Sequence, residues 1–278
     1  MTDWFSYVAL PVIAGLFGLT IGSFLNVCTL RWPKEESVVS PGSRCPKCHE
    51  AIRWYDNIPV LSWIVLRGKC RRCSEQVSIQ YPLVELATGL MWAGTFATHG
   101  ATGEAFRGAT FLTILFGISI SDARFYQDVG HFNAIPDKFS IGGAVLGVAL
   151  AFLPGGPGWV QAVIGGAVGF GVLWLVGVLG TRLIKKMSPG RLEEAGVDQA
   201  MGGGDVKMMM MVGTFVGIWG VALTIFLGSV LALLVFGPIS MISKRLVPLG
   251  VFLAAAGGIA YQWGDVIIAW YTTSVVGM

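Results

Sequence analysis

Four cysteines in two Cys-x-x-Cys pairs, and a few acids beside apolar runs, are the residues of this chain whose types and spacing could do chemistry. Cys45, Cys48, Cys70 and Cys73 form the pattern C-x2-C-x21-C-x2-C inside a charged segment. Two tight knuckles of this kind bring four thiolates onto one tetrahedral cation, and Zn²⁺ is the expected occupant. Two oxidised pairs are the alternative, and a reducing, cytoplasmic setting argues against them. Four thiolates leave no open coordination position, so the expected role is structural. The ion would let roughly 30 residues, too few to build much core, hold a shape. The fifth cysteine, Cys28, lies within an apolar run and reads as a small apolar residue.

The acids that adjoin apolar runs on the expected cytoplasmic side are Glu85, Asp122, Asp137 and Asp205. Asp205 is delivered by Gly202-Gly203-Gly204 and followed by Lys207 and four methionines, Met208 to Met211. A carboxylate at the edge of lipid is costly and calls for a partner or a task. Asp137 and Asp205 stand where helices are expected to begin, so N-capping alone accounts for either. Asp122 follows the run 116–121 at the expected C-terminal end of its helix, where the dipole disfavours negative charge and capping is no explanation. Two aspartates on one face of a membrane are what an aspartyl protease needs. One, ionised, takes a proton from water, while the other, protonated, donates to the scissile carbonyl. Asp122 and Asp205 are the candidate catalytic pair. The glycines before Asp205 either admit an extended substrate backbone or simply end a flexible loop, and Lys207 is expected to snorkel to the interface.

What must position these groups follows from composition. With 278 residues, 54% hydrophobic and only 13% charged, the chain has too little polar surface for a soluble globule, and its class is an all-α polytopic membrane protein. Runs able to cross about 30 Å of hydrocarbon occur near 6–29, 82–99, 106–121, 139–154, 159–181, 206–219, 220–242 and 247–273. That makes about eight transmembrane helices, with a tight turn expected near Ile218-Trp219-Gly220. The first run follows an acidic start and lacks a small-residue cleavage site, so it is expected to be retained as a span. With the N-terminus outside, the loops 30–81, 122–138, 182–205 and 243–246 with their flanks carry every Lys and Arg of the 19 except Arg107. This is the split of the positive-inside rule, and it turns the chemistry towards the cytoplasm. The expected organisation is a first transmembrane helix in 1–30, a cytoplasmic zinc-binding insert in 31–81, and a seven-helix membrane domain with the protease site in 82–278. A net charge of +3, distributed over loops rather than a groove, excludes nucleic acid as a partner and leaves the lipid bilayer. No internal repeat of useful length is visible, and the Gly/Ala-rich stretches 165–169 and 254–258 read as helix-packing surface.

Taken together, the motifs resemble those of the type IV prepilin peptidases. They are Gly22-Ser23-Phe24-Leu25-Asn26-Val27 with Arg31 and Pro33, the two Cys-x-x-Cys pairs with Asn57-Ile58-Pro59 between them, and Tyr81-Pro82-Leu83-Val84-Glu85-Leu86. Ser121-Asp122-Ala123-Arg124, Ile135-Pro136-Asp137 and the G-x-G-D element ending at Asp205, with Lys207 after it, complete the set in family order. The resemblance implies a bifunctional enzyme of the bacterial inner membrane, multi-pass, with its active site facing the cytoplasm. Such an enzyme cuts a type IV prepilin or type II secretion pseudopilin after a glycine at the end of its basic leader. It then N-methylates the new N-terminus with S-adenosylmethionine. Asp122 and Asp205 become the catalytic pair, and the four cysteines the zinc ligands. The methyl-donor site is expected in the first part of the chain, with Asn26 and Glu85 as candidates. The plain readings beside these are an Asn26 bond between helices and a Glu85 ion pair with an arginine.

One departure stands out. In the family the first catalytic aspartate lies about eight residues before the aspartate of the Pro-Asp pair, whereas here Asp122 lies fifteen before Asp137, with 127–133 as an apparent insertion. Asp128, expected in a loop with His131, competes for the role. Asp122 keeps it because it directly follows its apolar run. Two other function classes remain beside the enzyme. A transporter with ion-carrying acids predicts inverted repeats and mid-membrane acids, and Asp265 is the nearest approach to one. A noncatalytic pilus or secretion assembly scaffold would leave the aspartates dispensable.

Overall fold

Apolar runs too long for one turn of core, with nothing but helix able to satisfy their backbone in lipid, become helices throughout. A computed structural model describes residues 5–129, 135–188, 190–194, 198–243 and 249–276, with side chains at all of these except 5–6, 124–129, 191, 194, 236–243 and 275–276. The helices are α1 (Leu10–Arg31), α2 (Leu61–Val65), α3 (Gln80–His99), α4 (Gly103–Val129), α5 (Asp137–Leu150), α6 (Trp159–Met187), α7 (Arg191–Glu194), α8 (Gly203–Ser243) and α9 (Leu249–Tyr271). No strand occurs among the described residues, only the isolated bridges Arg44↔Ala51 and Lys69↔Gln76. Five stretches are long and apolar enough to cross a membrane by themselves, in α1, α4, α6, α8 and α9. The protein is therefore a multi-pass membrane protein. It divides into two compact units, Met1–Thr113 and Ile114–Met278.

The first unit is an antiparallel pair, α1 and α3, joined through the cysteine-bearing insert. Small residues decide how closely the two approach. A Cβ added to Gly18 would lie 2.7 Å from Trp92 Cβ and 2.9 Å from Gly89 Cα, and one added to Gly22 would lie 2.7 Å from Glu85 Cα. Trp92 anchors the far end. Its ring meets Phe17 edge-on at 5.1 Å and Phe106 edge-on at 5.7 Å, and its Nε1 donates to Thr113 Oγ1 at 3.0 Å. Buried indole N–H groups need such a partner.

In the second unit α8 is the central element, with α5, α6 and α9 packed against it. Its 41 residues would run about 60 Å as one rod, twice the hydrocarbon thickness. Gly217, at φ +66° and ψ −172°, breaks it. Unbroken, the helix would hold Asp205 and Gly228 about 34 Å apart. Yet Asp205 reaches Gly250 while Gly228 packs on Leu253, within one turn of each other on α9. The chain therefore folds back at Gly217, a conformation that glycine adopts without a Cβ penalty. The two limbs account for the sixth and seventh expected spans, with the turn just before Ile218. The first limb is gripped by α6, where Gly165 meets the Gly213 backbone and Gly169 the Met209 carbonyl.

Valine at Gly213 or Gly165 forces these backbones apart, and purified protein should lose about 1 to 3 kcal/mol of unfolding free energy. Gly142, whose added Cβ would meet nothing, provides the control. Its change to Ala should raise stability by about 0.5 to 1 kcal/mol through helix propensity, read in both cases from denaturant unfolding in detergent.

Candidate active site and metal centre

The second unit brings Asp122, on α4, and Asp205, in the first turn of α8, to one point. A Cβ built on Gly250 of α9 would lie 3.0 Å from Asp205 Oδ1 and 3.4 Å from Asp122 Oδ2. Asp122 is buried and Asp205 partly so. Asp205 is the third residue of its helix, and its carboxylate faces Gly250 and Asp122, so the capping explanation loses to a side chain aimed across helices. Asp122 does not end its helix either. The stretch after it, Arg124-Phe125-Tyr126-Gln127, continues α4 to Val129, because none of these residues breaks a helix. The dipole argument for Asp122 is thus corrected: the residue sits nearly two turns inside. Asp128 falls on the last turn, but its side chain and residues 130–134, including His131, lie outside the described residues.

Ile135 closes the point from a third side. Its Cδ1 would be 3.3 Å from a Cβ on Gly250, and its Cβ 3.2 Å from one on Gly204. The segment that delivers it is held by an ion pair. Lys207 Nζ donates to both oxygens of Asp137, at 2.7 and 2.9 Å. Lys207 is therefore tied to the first residue of α5 and does not snorkel freely, and Asp137 takes a lysine where a cap was expected; the cap position itself is Pro136. Sequence reasoning missed Gly250 and Ile135 as neighbours of the aspartates. The signal was present only as a lone glycine opening the last apolar run.

The candidate metal centre, the four cysteines, lies in the first unit. All four cysteine sulfurs lie within 4.8 Å of one another, with Cys45 to Cys73 at 3.7 Å and Cys48 to Cys70 at 4.0 Å. A tetrahedron with metal–sulfur bonds of about 2.3 Å has edges of about 3.8 Å, so the cluster could hold a metal ion as it stands. Each knuckle is built alike. Cys45 N–H donates to Glu50 O and His49 N–H to Cys45 O, and likewise Cys70 N–H to Glu75 O and Ser74 N–H to Cys70 O. His49 and Ser74 both take positive φ, 56° and 58°. Salt bridges then cross between knuckles, Lys47 with Glu75 and Arg72 with Glu50. The underlying repeat, Cys-x-basic-Cys-x-Glu, was legible but too short to register as one. Without a cation the crowded thiols diverge. The N–H groups of Cys48 and Lys47 hold Cys45 down at about 6. The Glu75 N–H favours the Cys73 thiolate, yet burial and its neighbours push that thiol up to about 11. A divalent ion would remove the conflict by ionising all four.

Beside the metal centre, a cleft of about 1120 Å³ is lined by residues of α1, the insert and α3. Asn26 Nδ2 donates to Tyr81 O at 3.1 Å across the helix pair. Glu85 Oε2 accepts the Val60 N–H at 2.7 Å, in place of the expected arginine. Val60 is a β-branched residue at φ +61°, a conformation that the surrounding bonds must hold against local strain.

Two family comparisons match the chain. The Bacterial Peptidase A24 N-terminal domain matches residues 16–99 and the Type IV leader peptidase family residues 109–237. Several curated proteins named "Prepilin leader peptidase/N-methyltransferase" are similar. That of Stutzerimonas stutzeri is 32% identical over 292 residues, covering 95% of this chain and 94% of the relative. That of Bacillus subtilis (strain 168) is 28% identical over 267 residues, covering 94% and 98%. That of Myxococcus xanthus (strain DK1622) is 34% identical over 200 residues, 72% of this chain, and the match spans 54% of the relative's length. No solved structure matches.

The thiol geometry makes a direct prediction. Elemental analysis of the purified chain should find about one metal ion per molecule. Cys48→Ser should remove it and expose residues 31–81 to limited proteolysis; a metal-free insert that resists protease equally well would refute the centre.

Proposed function

Because the chain belongs to the type IV leader peptidase family, we propose that it cleaves the leader peptide of a type IV prepilin or type II secretion pseudopilin and N-methylates the new N-terminus. The observation that carries the peptidase reading is the meeting of Asp122 and Asp205 at Gly250. An aspartyl protease divides its work between two such carboxyl groups, one ionised and one protonated. The ionised member draws a proton from a water as the oxygen attacks the scissile carbonyl, and the protonated member donates to that carbonyl oxygen. The proton taken from water then passes to the leaving amine as the C–N bond breaks, and a hydroxyl of the tetrahedral intermediate returns a proton to the other carboxylate as the carbonyl re-forms, which restores the pair. No metal is needed for these steps, and the cysteine centre lies in the other unit.

The four thiolates suit Zn²⁺ in a structural role, since they fill a tetrahedral shell and leave no position for substrate. The methyl donor is assigned to the cleft of the first unit, whose size suits a nucleotide-like ligand and which Asn26 and Glu85 both line. S-adenosylmethionine supplies there an electrophilic methyl group for the new terminal amine. The distribution of basic residues supports a bacterial inner-membrane location with the aspartates at the cytoplasmic side. The 31–81 insert then carries the metal, and the helices of 82–278 carry the peptidase.

Single changes of Asp122, Asp128 and Asp205 to Asn, assayed on a prepilin substrate in membranes, test the reading. Asp122→Asn and Asp205→Asn should each lower cleavage at least about a thousandfold, a loss of the order seen when a member of a catalytic set is removed, while methylation of pre-cleaved pilin persists. Cleavage that survives Asp205→Asn ends the aspartyl mechanism. Loss with Asp128→Asn but not Asp122→Asn transfers the role to Asp128.

A further inference from the structure

The loop 57–61 enters α2 with its backbone donors satisfied inside residues 54–62, with one exception. Asn57 N–H donates to Trp54 O, Ile58 N–H to Ser62 Oγ and Leu61 N–H to Pro59 O, at 3.2, 2.9 and 2.6 Å. Pro59 has no N–H to place. The Val60 N–H alone leaves the loop, and it ends on Glu85 Oε2 of α3 at 2.7 Å. Glu85 is buried, and the Ser23 hydroxyl reaches the same carboxylate from α1.

The turn at Val60 is one that valine resists. With Val60 at φ +61° and ψ −50°, and the Leu61 N–H bonded back to the Pro59 carbonyl, residues 59–61 form a γ-turn of the rare, strained hand. A β-branched side chain makes positive φ harder still. Such a conformation persists only where its surroundings impose it. Downstream, Trp63 Nε1 donates to Val77 O at 3.0 Å, which fastens α2 to the chain beyond the second knuckle. Upstream of α2, the bond from Val60 to Glu85 is the one backbone bond that ties the loop to the helix pair. Asn57, Ile58, Pro59 and Val60 line the cleft of about 1120 Å³ that Asn26 and Glu85 also line. The position of this wall therefore depends on the Glu85 bond.

We propose that Glu85 is a positioning residue for methyl transfer: its carboxylate holds Val60 in the strained turn and so keeps residues 57–60 in place as a wall of the methyl-donor cleft. It acts through the backbone that it binds, and the transferred methyl group does not touch it. This rests on the cleft being the S-adenosylmethionine site. Without the bond only a fraction of the molecules present the wall, so donor affinity falls by that fraction while turnover at saturating donor holds. Glycine at position 60 makes the bond dispensable, because it enters positive φ without a Cβ penalty.

The test measures equilibrium binding of labelled S-adenosylmethionine to the full-length chain in detergent, with hydrogen exchange of residues 57–65 followed in the same samples. Glu85→Ala should speed exchange there and weaken binding about ten- to a hundredfold, the worth of a hydrogen bond to a charged acceptor. Its kcat for methylation of pre-cleaved pilin, at saturating donor, should stay close to that of the unaltered chain. Glu85→Gln, whose amide oxygen still accepts the N–H, should keep most of the affinity. Val60→Gly should bind at least as well as the unaltered chain, and added to Glu85→Ala it should recover most of the loss. Equal losses in Glu85→Gln and Glu85→Ala, or no recovery from Val60→Gly, overturn the proposal, since the carboxylate would then act on the ligand by its charge. If Glu85→Ala yields no folded chain, the single variants Glu85→Gln and Val60→Gly decide, and a large loss of binding in either overturns the proposal. An unaltered chain that binds no S-adenosylmethionine removes the cleft assignment and the proposal with it. Faster exchange in Glu85→Ala with unchanged binding leaves that assignment standing and overturns the role of Glu85 alone.

Discussion

Close approach of helix backbones through glycine is the contact on which both units depend. In lipid the hydrophobic effect does not press one helix onto another, so association rests on packing and on backbone that can come near. Gly18 and Gly22 let α1 lie against α3, and this pairing places Asn26 within reach of Tyr81 and Glu85 within reach of Val60. Gly165 and Gly169 let α6 grip the first limb of α8 at Gly213 and Met209. The same device recurs at the aspartates, where Gly204 and Gly250 make room for Ile135 and the two carboxylates. Larger side chains at these positions would separate the helices and, with them, the charges they carry.

Charge is handled in two ways within the second unit. Asp137 and Lys207 neutralise each other at a partly exposed edge, where an ion pair contributes little energy but fixes geometry. Asp122 and Asp205 are instead two carboxyl groups facing one point, an arrangement that stability alone would not favour with both ionised. A protein tolerates such a conflict where it serves chemistry. The stable pair beside it holds the Ile135-Pro136 segment and the start of α8 together, so the unfavourable pair has a rigid frame.

The insert solves a different problem. Its residues bury little, with exposed Trp54, Leu61 and Val65, and a core of this size does not hold a shape unaided. Four cysteine sulfurs within 4.8 Å, two matching turns and the crossed Lys47–Glu75 and Arg72–Glu50 bridges tie the segment together in place of a core. Arg71 adds a bidentate pair to Asp56, with bonds of 2.6 and 2.9 Å, which holds the Trp54–Asp56 turn against the second knuckle and keeps the Asp56 carboxyl below its ordinary range.

The sequence by itself determined which residues were available for chemistry and which stretches had to be helical. Cysteine spacing is a local property, and so is a run of apolar residues long enough to span lipid, so the cysteine cluster and the spans could be read along the chain. The turn between the sixth and seventh spans was expected near Ile218-Trp219-Gly220, and it falls just before, at Gly217. Tertiary structure decided what touches what. That α4 continues past Asp122, that Lys207 reaches Asp137, that Glu85 takes the Val60 N–H and that a glycine opening the last helix faces both aspartates all depend on side chains far apart in the chain. No periodicity or composition encodes those distances. They arise only when glycine-mediated packing sets how near each helix can come to the next.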